Sequence, residues 1–309
     1  MHIAGARGTL APVRARQPER CGYAVRDGVR LYYEVFGDGP VTVFLVPPWA
    51  IVHSRVWKLQ VPYLARHFRV LTYDPRGNGR SDRPRGPAAY DDAELVADGL
   101  AVMDEAEVGA AVCVGLSYGG RVLLDLAAKH PDRVLGAVFV AATLGLTTRW
   151  PRQPGFEEPV GADEHVAGTW ASYNADFWRR DLPAFARFFF EEVFPEAHST
   201  RQAENGDEWA METDAETLVS TRFPARRTLS AEELRAGADR VECPCLVVQG
   251  DRDRIVPPED SRELALLLGA PLVVFEGCGH GVQARHPVRF NLLVRQFAES
   301  VAGTAGGPR

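Results

Sequence analysis

The chain has 309 residues, of which 46% are hydrophobic and 25% are charged, and its formal net charge at pH 7 is −6. A chain of this size and composition can bury a full core, which predicts a globular protein with one sheet domain and a sizeable insertion. The negative charge argues against a nucleic-acid surface, and no apolar stretch approaches the ~20 residues of a membrane span. The start of the chain has no long apolar secretory segment. We therefore expect a cytoplasmic protein with neither nucleic acid nor a membrane as a partner.

The cysteines and the two ends of the chain carry little functional signal. The five cysteines are Cys21, Cys113, Cys243, Cys245 and Cys278. Because their number is odd and their spacing fits no zinc site, we expect reduced thiols and no metal. Residues 1–21 combine arginines with Gly, Ala and Pro, and both this segment and residues 303–309 are predicted to be flexible.

The pattern of the chain begins with strands and continues with alternating strands and helices. Residues 29–36 alternate between apolar and polar side chains and are flanked by Gly-containing turns, which predicts a hairpin that opens onto a strand over 41–46. Further buried strands are predicted at 69–73, 111–114, 134–141, 245–249 and 271–275, and helices near 55–67, 92–106, 119–130, 259–268 and 286–300. This order predicts an α/β fold, a mostly parallel twisted sheet with helices on both faces.

The alternation breaks between residues 143 and 235, where aromatic and acidic residues are frequent. Five apolar residues in this stretch recur at helical spacing: Leu182, Phe185, Phe188, Phe189 and Val193. We therefore predict a helical cap over 143–235, inserted between core segments over 22–142 and 236–302.

The aromatic residues of this predicted cap have two possible roles. Packing against the core domain is the more common fate of such residues. The alternative is that some of them line a substrate pocket, and Trp170, Phe177 and Phe189 are the candidates.

A Gly-x-Ser-x-Gly sequence at 115–119 lies between a strand pattern and a helix pattern. A strand that turns sharply into a helix strains the residue at its tip, and that residue's near neighbours must lack bulky side chains. The turn would present the Ser117 hydroxyl above the positive end of the helix, which stabilises developing negative charge. Ser117 is therefore the candidate nucleophile, and the alternative is a chance match in a Gly-rich loop.

A serine nucleophile needs a general base and an acid that orients the base. Asp251 and Asp253 lie in the loop after the strand predicted at 245–249, and His280 lies in the Gly-rich loop after the strand at 271–275. The residues alone do not separate the two aspartates. The remaining histidine candidates, His130 and His286, each precede a proline beside a helix, where a capping or solvent-exposed role is expected.

Over roughly residues 22–300 the chain resembles the α/β-hydrolase superfamily, through the serine motif, the aspartate loop and the histidine loop in that order. The resemblance implies a catalytic triad without a cofactor. It also implies that the acid is the last residue of Gly-x-x-Asp, here 250–253, which favours Asp253. The Gly- and Asn-containing loop over 74–84 resembles the turn after the fourth strand of many members. We interpret it as architectural, with substrate contact by Arg76 or Arg80 as the weaker alternative.

The chain departs from the superfamily pattern where the oxyanion hole is expected. Such hydrolases usually carry His-Gly after the third strand, whereas this chain has Pro-Pro-Trp-Ala at 47–50. Proline has no N–H, so we expect the Tyr118 amide as one donor and the Trp49 amide, or that of Ala50 or a neighbour, as the other. We favour a rigid acyl pocket with a working oxyanion hole over a weakened oxyanion hole. Trp49 is then a pocket wall or a buried core aromatic, and Ala50 is a predicted pocket residue.

Together these motifs predict a serine hydrolase that acts through an acyl-enzyme on an ester, thioester or lactone. The predicted substrate is a small molecule with an apolar acyl group, either free or attached to a carrier. One alternative keeps the acyl-enzyme but transfers or cyclises the acyl group instead of hydrolysing it. Another is a small-molecule-binding module with little turnover, because the fold alone does not determine activity.

Overall fold

The computed structural model describes residues 16–147, 166–222 and 230–305. Its strands are β1 (Arg20–Arg26), β2 (Val29–Phe36), β3 (Thr42–Val46), β4 (Arg69–Tyr73), β5 (Ala111–Leu116), β6 (Val134–Val140), β7 (Cys245–Gly250) and β8 (Leu272–Phe275). They form one sheet in the order β1-β2-β4-β3-β5-β6-β7-β8. Strands β3 to β8 are parallel, whereas β2 is antiparallel to both β1 and β4. The mostly parallel sheet agrees with the prediction.

The hairpin predicted between 29–36 and 41–46 is wrong. Strand β2 forms its hairpin with β1 instead, across Asp27 and Gly28, whose φ angles of 49° and 80° suit a tight two-residue turn. On its other side β2 pairs with β4, and β3 lies between β4 and β5. The sequence gives no clear strand pattern for β1, because Ala24 is the one buried residue of this edge strand. The strand begins inside the segment predicted to be flexible over 1–21, and residues 1–15 lie outside the described part.

The helices cover both faces of the sheet. They are α1 (Val61–Leu64), α2 (Asp92–Glu105), α3 (Tyr118–Lys129), α4 (Ala175–Val193), α5 (Thr200–Ala210), α6 (Ala215–Arg222), α7 (Ala231–Ala238), α8 (Pro258–Leu267), α9 (Val282–Arg285) and α10 (Pro287–Ala305). In β3, Val43 and Leu45 pack into the layer that contains α1 and α10, and Phe44 and Val46 into the layer that contains α2, α3 and α8. In the part of the chain described, no helix combines the length and apolar character that a membrane crossing needs.

Two predicted helix boundaries differ from the structure. The helix predicted near 55–67 is a 3-10 turn over Ser54–Trp57 followed by the short α1. Pro62 occupies the first turn of α1, where a missing N–H is tolerated, and it would interrupt a longer helix. At the other end of the chain, α10 extends three residues into the predicted tail. Residues 306–309 of that tail lie outside the described part.

The stretch predicted as a cap contributes α4, α5 and α6 between β6 and β7; we call residues 166–222 the insertion. Residues 148–165 and 223–229 of the predicted cap fall outside the description. Helix α7 packs against α3 and α8 of the core. The predicted boundary at residue 235 therefore divides a helix that belongs with the core.

Helix α4 carries the aromatic face that the sequence pattern indicated. Phe185, Phe189 and Val193 are buried at helical spacing. The helix is kinked at Asp181, whose φ and ψ of −150° and 68° are not helical, because Pro183 cannot donate to the preceding turn. The Asp181 carboxylate accepts from the Ala184 amide (3.0 Å) and so caps the second half of the helix.

We predict that Asp207, on α5 near α4, destabilises the fold at neutral pH. Its Oδ1 is buried with no partner among the described residues. Burial, together with nearby glutamates, raises the pKa of Asp207 to about 6. Because this folded-state pKa exceeds that of the free acid, the unfolded chain binds fewer protons between about pH 4 and 6, and stability falls as pH rises through this window.

The Asp207→Asn protein should therefore melt at a higher temperature than wild type near pH 7.5, with a smaller gain near pH 4.5. Thermal unfolding followed by circular dichroism at both pH values measures the difference. Asp132→Asn, at an exposed site, is the control and should show no such pH dependence. Equal gains at both pH values would contradict the raised pKa.

Candidate active site

Ser117 lies at the turn between the end of β5 and the start of α3. Its φ of 54° and ψ of −118° lie outside the regions favoured by non-glycine residues. A Cβ on Gly115 would lie 2.5 Å from the carbonyl oxygen of Gly119, and a Cβ on Gly119 would collide with the Pro47 carbonyl. Both glycines are therefore required for space, as the sequence argument expected.

His280 and Asp253 are joined by a buried hydrogen bond. His280 Nδ1 lies 2.8 Å from Asp253 Oδ2, and the two side chains are 7% and 0% exposed. The amides of Ile255 and Val256 donate to Asp253 Oδ1 (2.7 and 2.9 Å). Gln249 Nε2 donates to Oδ2 (2.9 Å). These donors fix the plane of the carboxylate, which in turn fixes the orientation of the imidazole.

The alternative acid, Asp251, has a different environment. It is exposed, and its Oδ1 accepts from the Cys278 amide (3.2 Å). Of the two aspartates, Asp253 is therefore the one that contacts His280. The other two histidines that precede prolines, His130 and His286, lie at the C-terminal ends of α3 and α9.

The Ser117 hydroxyl contacts a residue that the sequence argument did not identify. Ser117 Oγ lies 3.1 Å from Thr143 Oγ1, and the Thr143 amide donates to the Ser117 carbonyl (3.0 Å). Ser117 and His280 line one cavity, but among the described residues no hydrogen bond joins their side chains. Rotation about χ1 of the serine would be needed to form it, and such contacts often tighten only with substrate. Thr143 could have been found from its place just after the strand predicted at 134–141, since neighbouring parallel strands end at the same edge.

The loop after β3 lies against the nucleophile turn. The close approach of the Pro47 carbonyl to Gly119 brings the two segments into contact. Trp49 and Tyr118 both line the cavity that contains Ser117. Tyr118 is the first residue of α3, where amides point out of the helix end. Both predicted oxyanion residues therefore lie beside the nucleophile.

The side chain of Tyr118 is anchored below the turn. Its hydroxyl donates to Asp92 Oδ1, and Arg121 Nε donates to the other carboxylate oxygen of Asp92 (2.9 Å). All three side chains are buried. This network holds the residue after Ser117 in place.

Trp49 is both a cavity wall and a buried aromatic. Its ring centroid lies between 5.6 and 6.5 Å from the rings of four residues of the insertion, Tyr173, Trp178, Phe185 and Phe189. Its Nε1 donates to Thr221 Oγ1 (2.6 Å). The two sequence-based interpretations of Trp49 therefore both apply, and the residue connects the core to the insertion.

A cavity of about 300 Å³ lies between the core and the insertion. Ser117, Thr143 and His280 line it from the core side. Phe189 and Phe190 line it from the insertion, together with other apolar side chains. Of the four predicted pocket residues, Phe189 is the one that lines this cavity.

The other three predicted pocket residues are not among the described residues that line the cavity. Ala50 is buried beside the loop after β4, where its carbonyl accepts from Asn78 Nδ2 (2.9 Å). Trp170 packs on Phe188, with ring centroids 5.2 Å apart. Phe177 is buried with the Arg180 guanidinium 5.3 Å from its ring centroid. Aromatic content alone could not separate packing residues from lining residues, because the buried part of α4 is wider than the face that borders the cavity.

Cys278, two residues before His280, is fully buried. Burial and the nearby Glu196 carboxylate raise the pKa of its thiol, which therefore stays protonated and is a poor nucleophile. No group of three or more His, Cys, Asp or Glu side chains in the described ranges is arranged to hold a metal ion.

The histidine loop is held by the last residue of α4 and by the segment that follows this helix. The Val193 carbonyl accepts from the His280 amide (3.1 Å), and the Glu196 carboxylate accepts from the Gly279 amide. A Cβ on Gly279 would collide with Pro195. A Cβ on Gly281 would likewise collide with Phe194. These glycines therefore make room for the insertion.

We predict that Glu196 positions His280. Glu196→Ala removes the charged acceptor of the Gly279 amide and should lower kcat about tenfold with little change in KM, because a small displacement of the base slows proton transfer. Glu196→Gln keeps an acceptor oxygen and should recover most of the rate. Steady-state kinetics of both variants test this. Glu191→Ala, at an exposed site on α4, is the control. Equal loss in the Ala and Gln variants would contradict the positioning role.

Comparison with known proteins agrees with the fold. The sequence model of the family described as alpha/beta hydrolase fold matches residues 42–287. The chain is 30% identical over 276 residues to the 2-hydroxymuconate semialdehyde hydrolase of Pseudomonas sp. (strain CF600), covering 85% of this chain and 84% of that protein. It is 29% identical over 241 residues to the pimeloyl-[acyl-carrier protein] methyl ester esterase of Aromatoleum aromaticum (strain DSM 19018 / LMG 30748 / EbN1), covering 78% of this chain and 91% of that protein.

A solved hydrolase structure has a fold similar to that of this chain. The enol-lactonase from Burkholderia xenovorans LB400 superimposes with a TM-score of 0.70 at 27% identity, covering 89% of this chain and 99% of that one. Hydrolases, including an esterase and a lactonase, are thus similar to this chain over most of its length. The chain belongs to the α/β-hydrolase family.

Proposed function

We propose that the protein is a serine hydrolase that acts through an acyl-enzyme on an ester, thioester or lactone. The observation that carries the proposal is the buried His280–Asp253 pair, whose histidine lines one cavity together with a strained serine turn. Strain of this kind persists only where the surrounding structure imposes it, and it concentrates at functional sites. The order of Ser117, Asp253 and His280 along the chain is the one used by triads on this fold.

In the proposed first step, Ser117 Oγ turns away from Thr143 and attacks the substrate carbonyl. His280 Nε2 accepts the serine proton and passes it to the departing alcohol or thiol. Asp253 holds the proton on Nδ1 and stabilises the imidazolium that forms. Water then attacks the acyl-serine, gives a proton to His280, and the carboxylic acid leaves as that proton returns to Ser117.

The developing oxyanion would be bound by the backbone amides of Tyr118 and Trp49. The Tyr118 amide is at the positive end of α3, which favours negative charge. The Trp49 amide follows two prolines that restrict the loop, so the donor is fixed before substrate binds. Pre-positioned donors need no reorganisation during the reaction, which is why they are effective.

The lining of the cavity supports a substrate with a largely apolar acyl group. Val52, Phe189, Phe190 and Val193 contribute apolar surface next to the serine. Pockets of a few hundred Å³ suit small molecules. A methyl ester esterase and an enol-lactonase are among the similar proteins, which supports ester or lactone chemistry here.

Non-hydrolytic acyl transfer or cyclisation is the second candidate. Phe189 and Phe190 of α4 line the cavity that contains Ser117. If they keep water from an acyl-serine, attack by another hydroxyl, amine or thiol would be favoured. Product analysis separates the two, because only hydrolysis releases the free acid.

The proposal is tested by the mass of the intact protein after treatment with a fluorophosphonate. Wild type should gain one adduct, and Ser117→Ala should gain none. A series of p-nitrophenyl esters of increasing chain length then gives the size preference of the cavity. A folded wild-type protein that neither forms an adduct nor hydrolyses any ester would overturn the proposal and favour a binding module.

A further inference from the structure

Two carboxamide side chains line the cavity without a hydrogen-bond partner in the part of the protein described. Asn205 lies on α5 and Gln283 on α9, and their residues are 6% and 1% exposed. Gln283 Oε1 is buried with no partner, and no hydrogen bond among the described residues involves either side-chain amide. Asn205 belongs to the insertion and Gln283 to the core.

The lack of a hydrogen-bond partner sets Asn205 and Gln283 apart from the other buried carboxamides of the described residues. The other buried Asn and Gln side chains each form at least one hydrogen bond: Gln60, Asn78, Asn174, Gln249 and Asn291. Buried polar groups in folded proteins are nearly always paired, and an exception calls for an explanation such as a bound ligand. Asn205 and Gln283 differ from the paired amides in that both line the cavity with Ser117 and His280.

We propose that Asn205 and Gln283 form a polar subsite that binds a neutral hydrogen-bonding group of the substrate, an amide or a hydroxyl. This inference rests on the proposed function and refines the substrate from a plain acyl chain to one that carries such a group. A carboxamide both donates and accepts hydrogen bonds without charge, as amides and hydroxyls do. A site built for such a group discriminates against an analogue that lacks it, because its own polar groups then stay unpaired.

A neutral ligand is favoured by where the charged lining residues lie. Three cationic side chains line the cavity: Lys58, Arg201 and Arg222. Lys58 and Arg201 are exposed, so they belong to its rim. Arg222 is half-buried, and its guanidinium carbon lies 5.4 Å from the centroid of the Tyr173 ring, which already engages it. Arg201 already pairs with Glu204 (3.1 Å) and Glu208 (3.5 Å). Apart from His280 and the aromatic residues, the buried polar side chains that line the cavity in the described part of the chain are the two carboxamides.

The test compares p-nitrophenyl hexanoate with two esters of the same length. One is the p-nitrophenyl ester of N-acetyl-β-alanine, which carries an internal amide, and the other is that of 3-hydroxyhexanoate. Wild type should have a higher kcat/KM for at least one polar ester than for hexanoate. Asn205→Leu and Gln283→Met should each lower the ratio of polar to hexanoate kcat/KM about tenfold, since each removes a hydrogen-bonding pair. Gln296→Met, outside the cavity on α10, is the matched control and should keep the wild-type ratio.

The inference would be overturned if Asn205→Leu and Gln283→Met both fold and keep the wild-type ratio of polar-ester to hexanoate kcat/KM. If only one of the two variants folds, its ratio alone decides. Preference for the p-nitrophenyl monoester of adipic acid over both polar esters would also overturn it, since the ligand would then be anionic. Failure of the proposed function would be distinguished from failure of this inference, because p-nitrophenyl hexanoate itself would then not be hydrolysed. In that case calorimetry with the methyl ester of N-acetyl-β-alanine against methyl hexanoate still measures the subsite in Ser117→Ala protein, and equal affinity would overturn the inference.

Discussion

Replacing Ser117 with alanine is expected to lower kcat/KM for p-nitrophenyl esters by about 10⁴- to 10⁶-fold, the range seen when a serine nucleophile is removed. Little stability should be lost, because alanine keeps a Cβ in the same backbone conformation with φ of 54°. The measured melting temperature should therefore stay close to that of wild type. Activity and stability would then respond separately, as expected for a residue whose role is chemical.

The control for this variant is Ser300→Ala, an exposed serine on α10. It should retain wild-type kinetics and the fluorophosphonate adduct. Residual ester hydrolysis by Ser117→Ala within tenfold of wild type would assign the nucleophile to another residue or to water. Acyl-enzyme trapped by rapid acid quench and located by peptide mass mapping would then identify it.

Asp253→Asn should lower kcat by about 10³- to 10⁴-fold, because the substitution forces the wrong imidazole tautomer. The amides of Ile255 and Val256 both donate to Oδ1, so the oxygen of the introduced carboxamide should occupy that position and its NH₂ group should face His280. His280 Nδ1 would then accept a hydrogen bond. Its proton would move to Nε2, the atom that must accept the proton of Ser117.

Rotation of the introduced carboxamide to avoid this outcome is opposed by the two backbone amides at Oδ1, which outnumber the single side-chain donor at Oδ2. Gln249 Nε2 lies 2.9 Å from Asp253 Oδ2, and its own carbonyl oxygen accepts from Ser261 Oγ (2.7 Å). Asp251→Asn is the matched control, since it keeps an acceptor for the Cys278 amide and should leave kcat nearly unchanged. The pair is compared by pre-steady-state acylation rates. Equal losses in the two variants would show that the loop, and not the Asp253 carboxylate, determines the rate.

The parts of the site that follow from local sequence were predictable. Gly115 and Gly119 leave the space that the serine turn needs, and this requirement depends only on residues a few positions apart. The order of the serine, aspartate and histidine loops follows from strands that end at one edge of a parallel sheet. The choice of Asp253 over Asp251 needed either the superfamily resemblance or the observed 2.8 Å contact with His280.

The parts that depend on long-range packing were not predictable from local patterns. The hairpin of β2 was assigned to the wrong neighbour because β1 has almost no buried face. Thr143 and Glu196 contact the catalytic loops from 26 and 83 residues away along the chain. Ala50, Trp170 and Phe177 have the expected chemistry for a pocket but lie elsewhere, since the kinked α4 is buried on more than one side.

The contacts of the insertion limit how this enzyme could be diversified. Val193 at the end of α4 and Glu196 just after it hold the His280 loop, while Thr221 and the α4 aromatics hold Trp49. A chimera that receives the insertion of a relative would thus exchange the supports of His280 and of Trp49 along with part of the cavity wall. Substrate preference and catalytic geometry are inherited together in this architecture, so new specificity should arise by point substitution within the insertion more readily than by its replacement.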